Sequence, residues 1–307
     1  MKSSSKLVVF AICVAALSNL PLKAQYLGDQ LLGLTGLKAG SQPPPGIFVT
    51  VPLYYRHSDA SIFDAQGDQV LKNATPALNV FMLPSVLWVT PFKVLGANVG
   101  VSYSQWILNG VFNQATVGFQ RSTSYAFGDI YVQPLVLGWH TPHADVTAGY
   151  AFFAPTGSGF AGRHMWVDEI DLGTTLYLDS GKKYNASAMM FYDFNQNKNN
   201  TNITVGDIVT LTGGIGRSFL KGAANAGVAY GAQWKTTHDK GPDIPALLPI
   251  TNGRVFGVGP ELDMPVFAKG PNVILASFRY LWLPGPKTEF GGQTITATLT
   301  FARLKVQ

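Results

Sequence analysis

Cysteine, charge and long hydrophobic runs are all scarce in this chain, and each shortage removes a class of protein. The single cysteine, Cys13, lies within the first two dozen residues. A chain that loses that stretch has neither a disulfide nor a thiolate metal site to brace it. Charged residues make up 13% of the 307, against about 25% in an ordinary soluble domain. After residue 24 no stretch approaches the roughly 18 consecutive apolar residues of a membrane-spanning helix. Nor does any basic run suggest a nucleic-acid partner. What is plentiful is glycine (33), proline (19) and aromatic side chains (12%). Glycine and proline disfavour long helices, and the aromatic content argues against disorder.

Residues 1–24 have the form of a secretory signal peptide. Lys2 and Lys6 give a basic start, residues 7–17 an apolar stretch, and Leu22-Lys23-Ala24 a small residue at the cut. The apolar stretch is too short for a spanning helix, and Phe10-Ala11-Ile12 before Cys13 is a poor lipoprotein box. Removing this segment takes away three lysines and no acid, so the side-chain charge falls from +5 to +2. The sequence pI of about 9.2 therefore overstates how basic the mature chain is.

The recurring signal is alternation. Between Leu95 and Tyr103, Ala97, Val99 and Val101 share one parity while Gly96, Asn98, Gly100 and Ser102 share the other. Ile170, Leu172, Leu176 and Leu178 alternate with Glu169, Asp171, Gly173, Thr175 and Tyr177. Phe256, Val258, Leu262 and Met264 alternate with Gly257, Gly259, Glu261 and Asp263. Ile295, Ala297, Leu299 and Phe301 alternate with Thr294, Thr296, Thr298 and Thr300. Period 2 means strands with one apolar face. A secreted sandwich alternates too, but its outer face carries many Lys and Glu; here the polar parity is mostly Gly and Thr. Tryptophans 88, 106, 139, 166, 234 and 282 fall near segment ends, as in the aromatic girdles of a barrel.

The expectation is an all-β, antiparallel, up-and-down transmembrane β-barrel of about twelve strands over residues 47–307, inverted so that its apolar face meets lipid. Residues 179–183 read as a tight turn and 195–202 as an external loop. Residues 25–46 precede the first strand and end in Pro43-Pro44-Pro45-Gly46, an extended, ladder-incompetent run. They are either a periplasmic leader or a short plug folding residues 31–37 into the lumen.

Several segments also carry a resemblance. Gly128-Asp129-Ile130-Tyr131, Ala148-Gly149-Tyr150-Ala151-Phe152-Phe153-Ala154-Pro155-Thr156-Gly157, Gly216-Arg217-Ser218-Phe219-Leu220, Ala226-Gly227-Val228-Ala229-Tyr230-Gly231 and Val255-Phe256-Gly257-Val258-Gly259-Pro260-Glu261 are similar to the family named for the meta-pathway of phenol degradation. Leu37-Lys38-Ala39-Gly40 followed by Pro44-Pro45-Gly46 resembles its opening. The resemblance covers nearly all of the mature chain, and its motifs are structural. It implies a bacterial outer-membrane barrel, similar in outline to channels for hydrophobic and aromatic compounds, with lipid and a small solute as partners. One departure stands at the end, where Phe301 is followed by six more residues.

No cofactor or metal site is expected. Gly257-Val258-Gly259 lacks the third glycine of a dinucleotide loop. His140 and His143 flank a Thr-Pro turn with no third ligand apparent, and Asp168, Glu169 and Asp171 lack calcium-loop spacing. A lipid hydrolase would need an activated Ser–His pair, and no motif supplies one. Strand parity instead places Asp129, Asp145, Glu169, Asp171, Glu261, Asp263, Ser277 and Arg279 on the non-lipid face, together with Tyr131 and Tyr177. Charge on the lipid face near the midplane costs about 2–4 kcal/mol, which gives that parity energetic force. Two roles stay open for these candidates. Arg279 and the tyrosines could orient and stack a phenol or aromatic acid, or the charges could simply pair and brace the wall. The expected function is passive uptake of small hydrophobic or aromatic compounds, with no chemical step; the alternative is a structural or plugged barrel.

Overall fold

The computed structural model describes residues 28, 30–58, 62–64, 66–71, 77–82, 84–114, 119–122, 124–244, 252–288 and 291–304. The expected signal peptide lies outside the described residues. The long strands are β1 (Gly46–Ser58), β6 (Ala97–Gln114), β8 (Ala126–His140), β9 (Ala144–Ala154), β10 (Val167–Tyr177) and β11 (Tyr184–Asn195). They continue as β12 (Ile208–Phe219), β13 (Ala224–Lys235), β14 (Arg254–Lys269), β15 (Asn272–Leu283) and β16 (Gly292–Leu304). Between β1 and β6 the wall is built from two pieces, β4 (Ala77–Met82) and β5 (Ser85–Val94), each bonded to both neighbours. β1 pairs with β16 from Gly46↔Leu304 to Ser58↔Gln293, closing a twelve-strand antiparallel barrel. A four-residue β7 (Phe119–Ser122) extends the partner of β6, and β2 (Ile62–Phe63) with β3 (Gln69–Leu71) forms a small hairpin after β1.

Backbone closure is what hydrocarbon demands, since no water is present to satisfy an open edge. Side-chain parity then sorts by solvent. In β10, Ile170, Leu172 and Leu176 are about half exposed while Glu169, Asp171 and Thr175 are at most 1% exposed. The same inversion runs along β12 to β14, where Ile215, Val228, Phe256 and Leu262 face out. Trp88, Trp166, Trp234 and Trp282 are exposed and sit toward strand ends, as a girdle requires.

Three sequence expectations need correction. Trp106 is 9% exposed and packs inward against Val80, Leu31, Leu34 and Leu108, so it belongs to the interior and not to the girdle. Its parity is that of Asn98 and Ser104, each 8% exposed, so the count that turns the polar residues of β6 inward turns Trp106 inward too. The alternation that begins at Leu95 becomes strand only from Ala97. Leu95 (φ 49°) and Gly96 (φ 83°) form a two-residue turn of the kind that needs positive φ twice. The wall is also less regular than alternation suggests. Pro91 and Pro134 fall within register shifts, Pro52 and Pro265 border one each, and Pro84 sits between β4 and β5. A proline has no N–H for the ladder, so pairing skips or breaks there.

The two rims differ. On one, residues 95–96, 141–143, 178–183, 220–223 and 270–271 make short turns; on the other, loops such as 155–166 and 196–207 are long. Outer-membrane barrels keep short turns on the periplasmic side and long loops outside. The expected turn at 179–183 and loop at 195–202 fall on the short and long rims respectively. Lipid-face burial gives the first prediction. Leu172→Arg, near the middle of β10, lowers unfolding free energy in bilayers by about 2–4 kcal/mol, whereas Leu178→Arg at the short-turn rim costs about 0–1 kcal/mol. Denaturant titration of the two variants in the same vesicles measures the difference.

Candidate functional site

A lumen lined by carboxylates, amides and hydroxyls cannot stay dry and unpaired. In this barrel the partners come from the segment before β1. Residues 28 and 30–45 carry no strand, and their backbone groups turn outward to the wall. Near the long-loop rim the Gly28 amide donates to Gln233 (2.9 Å) and its carbonyl accepts from the Arg163 guanidinium (2.5 Å). Gln30 donates its side-chain amide to Glu169 (2.6 Å), and its carbonyl accepts from Gln233 (3.0 Å). Halfway down, the Gly33 carbonyl accepts from Arg279 (2.6 Å) and Thr296 (2.9 Å). The Thr35 and Gly36 carbonyls accept from Thr212 (2.5 Å) and Ser187 (3.0 Å). The Leu37 amide donates to Glu261 (2.9 Å). Toward the short-turn rim Ser41 donates to Asp145 (2.8 Å) and Gln42 to the Val136 carbonyl (3.2 Å). These partners come from every strand from β8 round to β16. On the remaining side, Leu31 and Leu34 pack on Val80 and Trp106.

Small residues let the segment approach so closely. A Cβ on Gly36 would lie 1.9 Å from the Glu261 carboxylate and 2.5 Å from Arg279. One on Gly40 would lie 2.2 Å from the Thr174 backbone. Gly33, at φ +85°, adopts a backbone few L residues take.

Each candidate taken from strand parity has a definite place. Asp129 is 4% exposed and accepts from the Gly157 and Arg163 amides, both at 2.7 Å, so it anchors the long loop after β9. The Tyr131 hydroxyl donates to Glu169 (3.0 Å), and its ring lies 4.7 Å from Phe153 between centroids. Gln133 donates to Asp171 (2.7 Å). The Tyr177 hydroxyl donates to Asp145 (2.5 Å), which also faces His140 at 3.0 Å. Glu261 and Arg279, directly paired across β14 and β15, form a two-pronged ion pair through Nε (2.7 Å) and a second, shorter contact. Asp263 accepts from Ser277 (2.5 Å). The structure thus gathers the candidates into three groups, around Glu169, Glu261 and Asp145, each touching the segment before β1, while Asp129 stands apart on the long loop. The Ser41 hydroxyl and the His140 ring both contact Asp145. A nucleophilic serine needs its base on the hydroxyl itself, and here the hydroxyl donates to the carboxylate.

What the sequence reading missed are the glutamines Gln30, Gln42 and Gln233, and the inward apolar residues. Leu32 joins Ala229, Val255, Leu281 and Leu283 in one buried cluster. Phe153, Met165, Val167, Ile203 and Val205 form another below the long loops, with Tyr131 and Ile244 against it. Its loop members Met165, Ile203 and Val205 lie outside any strand, where period 2 gives no signal. Among the described residues no group of three or more metal-ligating side chains comes together.

Residues 61–295 match the family described as "Putative MetA-pathway of phenol degradation". The chain belongs to this family. Among solved structures, an outer membrane channel from Pseudomonas putida F1 superposes with a TM-score of 0.69 at 12% identity, covering 88% of this chain and 99% of that one. At that identity the likeness establishes the fold, a closed outer-membrane-type barrel. OccD3 (TM-score 0.34, 9% identity, 95% and 98% covered) and a FadL homologue (0.31, 9%, 84% and 88%), both from Pseudomonas aeruginosa, score too low to add to it. No curated protein matches the sequence.

In this family member the Arg279–Glu261 pair carries the sharpest energetic consequence. Removing one partner of a buried pair strands the other's charge, at a cost of about 3–5 kcal/mol. Arg279→Ala is therefore expected to lower barrel stability by that amount in denaturant titration. Gly36→Val should leave the barrel heat-modifiable on a gel but expose residues 28–42 to limited proteolysis, because the segment can no longer seat against Glu261.

Proposed function

We propose that this protein is an outer-membrane channel for passive uptake of small hydrophobic or aromatic compounds, with residues 28–45 as a plug that narrows the lumen. The observation that carries the reading is the apolar patching of the interior. A water-filled porin lumen is polar, whereas here Met165, Val167, Ile203, Leu281 and Leu283 are buried on the inner side at 2% exposure or less. Below the long loops this patching begins at Phe153 and Met165; further in it continues at Leu32 and at Trp106. An apolar solute gains from each patch, and because the contacts are many and separate, none needs to hold it. Family membership supports the solute class. Within this reading the lumen carboxylates, Arg279, Tyr131 and Tyr177 act through the plug and wall rather than as the solute's main partners, and the protein performs no chemical step.

The second reading, a barrel that stays closed, rests on the plug's hydrogen bonds to strands β8 through β16. Flux separates the two. With the mature chain refolded in liposomes, phenol-like acids should pass faster than sugars of similar size, and deletion of residues 28–42 should raise both rates while reducing the ratio between them. Equal rates for aromatics and sugars in the intact protein would mean a general pore. No passage before deletion and free passage after it would favour the closed barrel. Esterase activity on lipid micelles would overturn the non-enzymatic part of the proposal.

A further inference from the structure

The outer surface at the short-turn rim carries a charge pattern that neither barrel stability nor solute passage uses. Lys93, Lys183, Arg217, Lys269 and Arg303 are all exposed there. Among the described residues of that rim no acidic side chain is exposed. Asp179 is half-buried, and its carboxylate accepts from the Gly181 (3.1 Å) and Tyr184 (2.7 Å) amides within its own turn. The long-loop rim is mixed: Asp68 is exposed, and the half-buried Asp168, Asp207, Asp239 and Asp243 are interspersed among Arg163, Lys198, Lys240 and Arg254.

Arg217 is the centre of this pattern. It stands on the outward parity of β12, directly across from Tyr184 on β11 and two residues before Phe219. Its guanidinium lies 5.5 Å from the Tyr184 ring centroid and 5.0 Å from that of Phe219. Both rings are more than 40% exposed, so the cation is held at the surface between two interfacial aromatics. On the β13 side its cross-strand neighbour is Ala226, whose short side chain leaves that flank open. Further up the same face Ile215, Val228 and Leu262 are 63%, 52% and 42% exposed and form an apolar slope. A fork of donors at the rim with hydrocarbon surface above it is complementary to an anionic lipid, phosphate below and acyl chain along the wall.

We propose that Arg217, clamped between Tyr184 and Phe219, is a binding site for the phosphate headgroup of an anionic phospholipid in the leaflet at the short-turn rim, within a basic collar completed by Lys93, Lys183, Lys269 and Arg303. Arg217 rather than lysine suits the role, because a planar guanidinium stacks on the rings while its edge donates to two phosphate oxygens. The site faces lipid and makes no contact with the lumen, so it stands or falls independently of the transport reading.

Native mass spectrometry of the full mature barrel, released from equimolar phosphatidylglycerol and phosphatidylcholine, tests it. The wild type should retain phosphatidylglycerol preferentially. Arg217→Gln should reduce that preference about fivefold, the equivalent of the ~1 kcal/mol that one basic side chain contributes near an anionic surface. Lys240→Gln, on the long-loop rim, should leave it unchanged. An undiminished preference in Arg217→Gln, or none in the wild type, would overturn the site. Should Arg217→Gln fail to fold, the wild-type preference at low and high salt decides. Loss at high salt supports headgroup capture, and a preference indifferent to salt refutes it.

Discussion

The pairing of β1 with β16 is the constraint from which the remainder follows. An open sheet in hydrocarbon would leave two edges of unsatisfied amides, each costing several kcal/mol. Thirteen-residue strands on either side of the seam, joined from Gly46↔Leu304 to Ser58↔Gln293, remove both edges at once. Closure then dictates polarity. With lipid outside, the apolar parity must face out, and every Glu, Asp, Asn and Thr of the other parity is enclosed. The tolerance of the wall for Pro52, Pro91, Pro134 and Pro265 follows as well. A barrel has neighbours on both sides of each strand, so one skipped pair is bracketed by intact ladder.

Enclosure poses a second problem, and the segment before β1 answers it. A lumen holding Glu169, Asp171, Glu261 and Arg279, all at most 5% exposed, must pair its groups internally. Glu261 and Arg279 satisfy each other only in part, and the rest of their capacity goes to Leu37 and Gly33. The ion pair is thus a bracket that fixes one point of the chain halfway along the barrel, with Gly36 as the position that admits it. Gln30 and Gln233 repeat the arrangement nearer the long loops. An amide side chain can both donate and accept, which suits a wall that must bond to a backbone segment without its own ladder.

How much of this was legible in the sequence depends on the physics each feature uses. Outward parity was legible, since Ile170, Leu172 and Leu176 obey a strict period of two and lipid enforces it. The inward placement of Asp129, Asp171, Glu261 and Arg279 was legible for the same energetic reason. Trp106 was legible in direction, since it shares the inward parity of Asn98 and Ser104, but a tryptophan near a segment end also suits the girdle, and residue type misleads there. The junction at Pro84 had a signal, the proline itself, but proline also marks turns, and only pairing with β1 and β6 distinguishes the two. The partners of residues 28–45 were illegible in principle. Glycines at 33, 36 and 40 hint at close approach, but which side chain approaches is set by contacts more than 130 residues apart, such as Gln30 with Glu169.

The geometry also bears on how a closed interior could conduct. Hydrogen bonds between residues 28–45 and the wall each contribute about 1 kcal/mol net, so complete release of the segment for every solute would be far too slow for uptake. The bonds are concentrated on β8 through β16. On the side of β4 and β6 the contact is Leu31 and Leu34 against Val80 and Trp106, which is apolar and without direction. Apolar packing can yield by small side-chain movements without stranding a polar group, whereas displacing Gly33 from Arg279 would leave buried charge unpaired. A hydrophobic solute that slips between Leu31, Leu34 and Trp106 replaces one apolar contact by another. A sugar in the same place would bury hydroxyls with nothing to bond. Under the proposed uptake reading, the asymmetry of the segment's attachments would act as a selectivity device: the polar side fixes it, and the apolar side offers the path of least cost to a solute that resembles it.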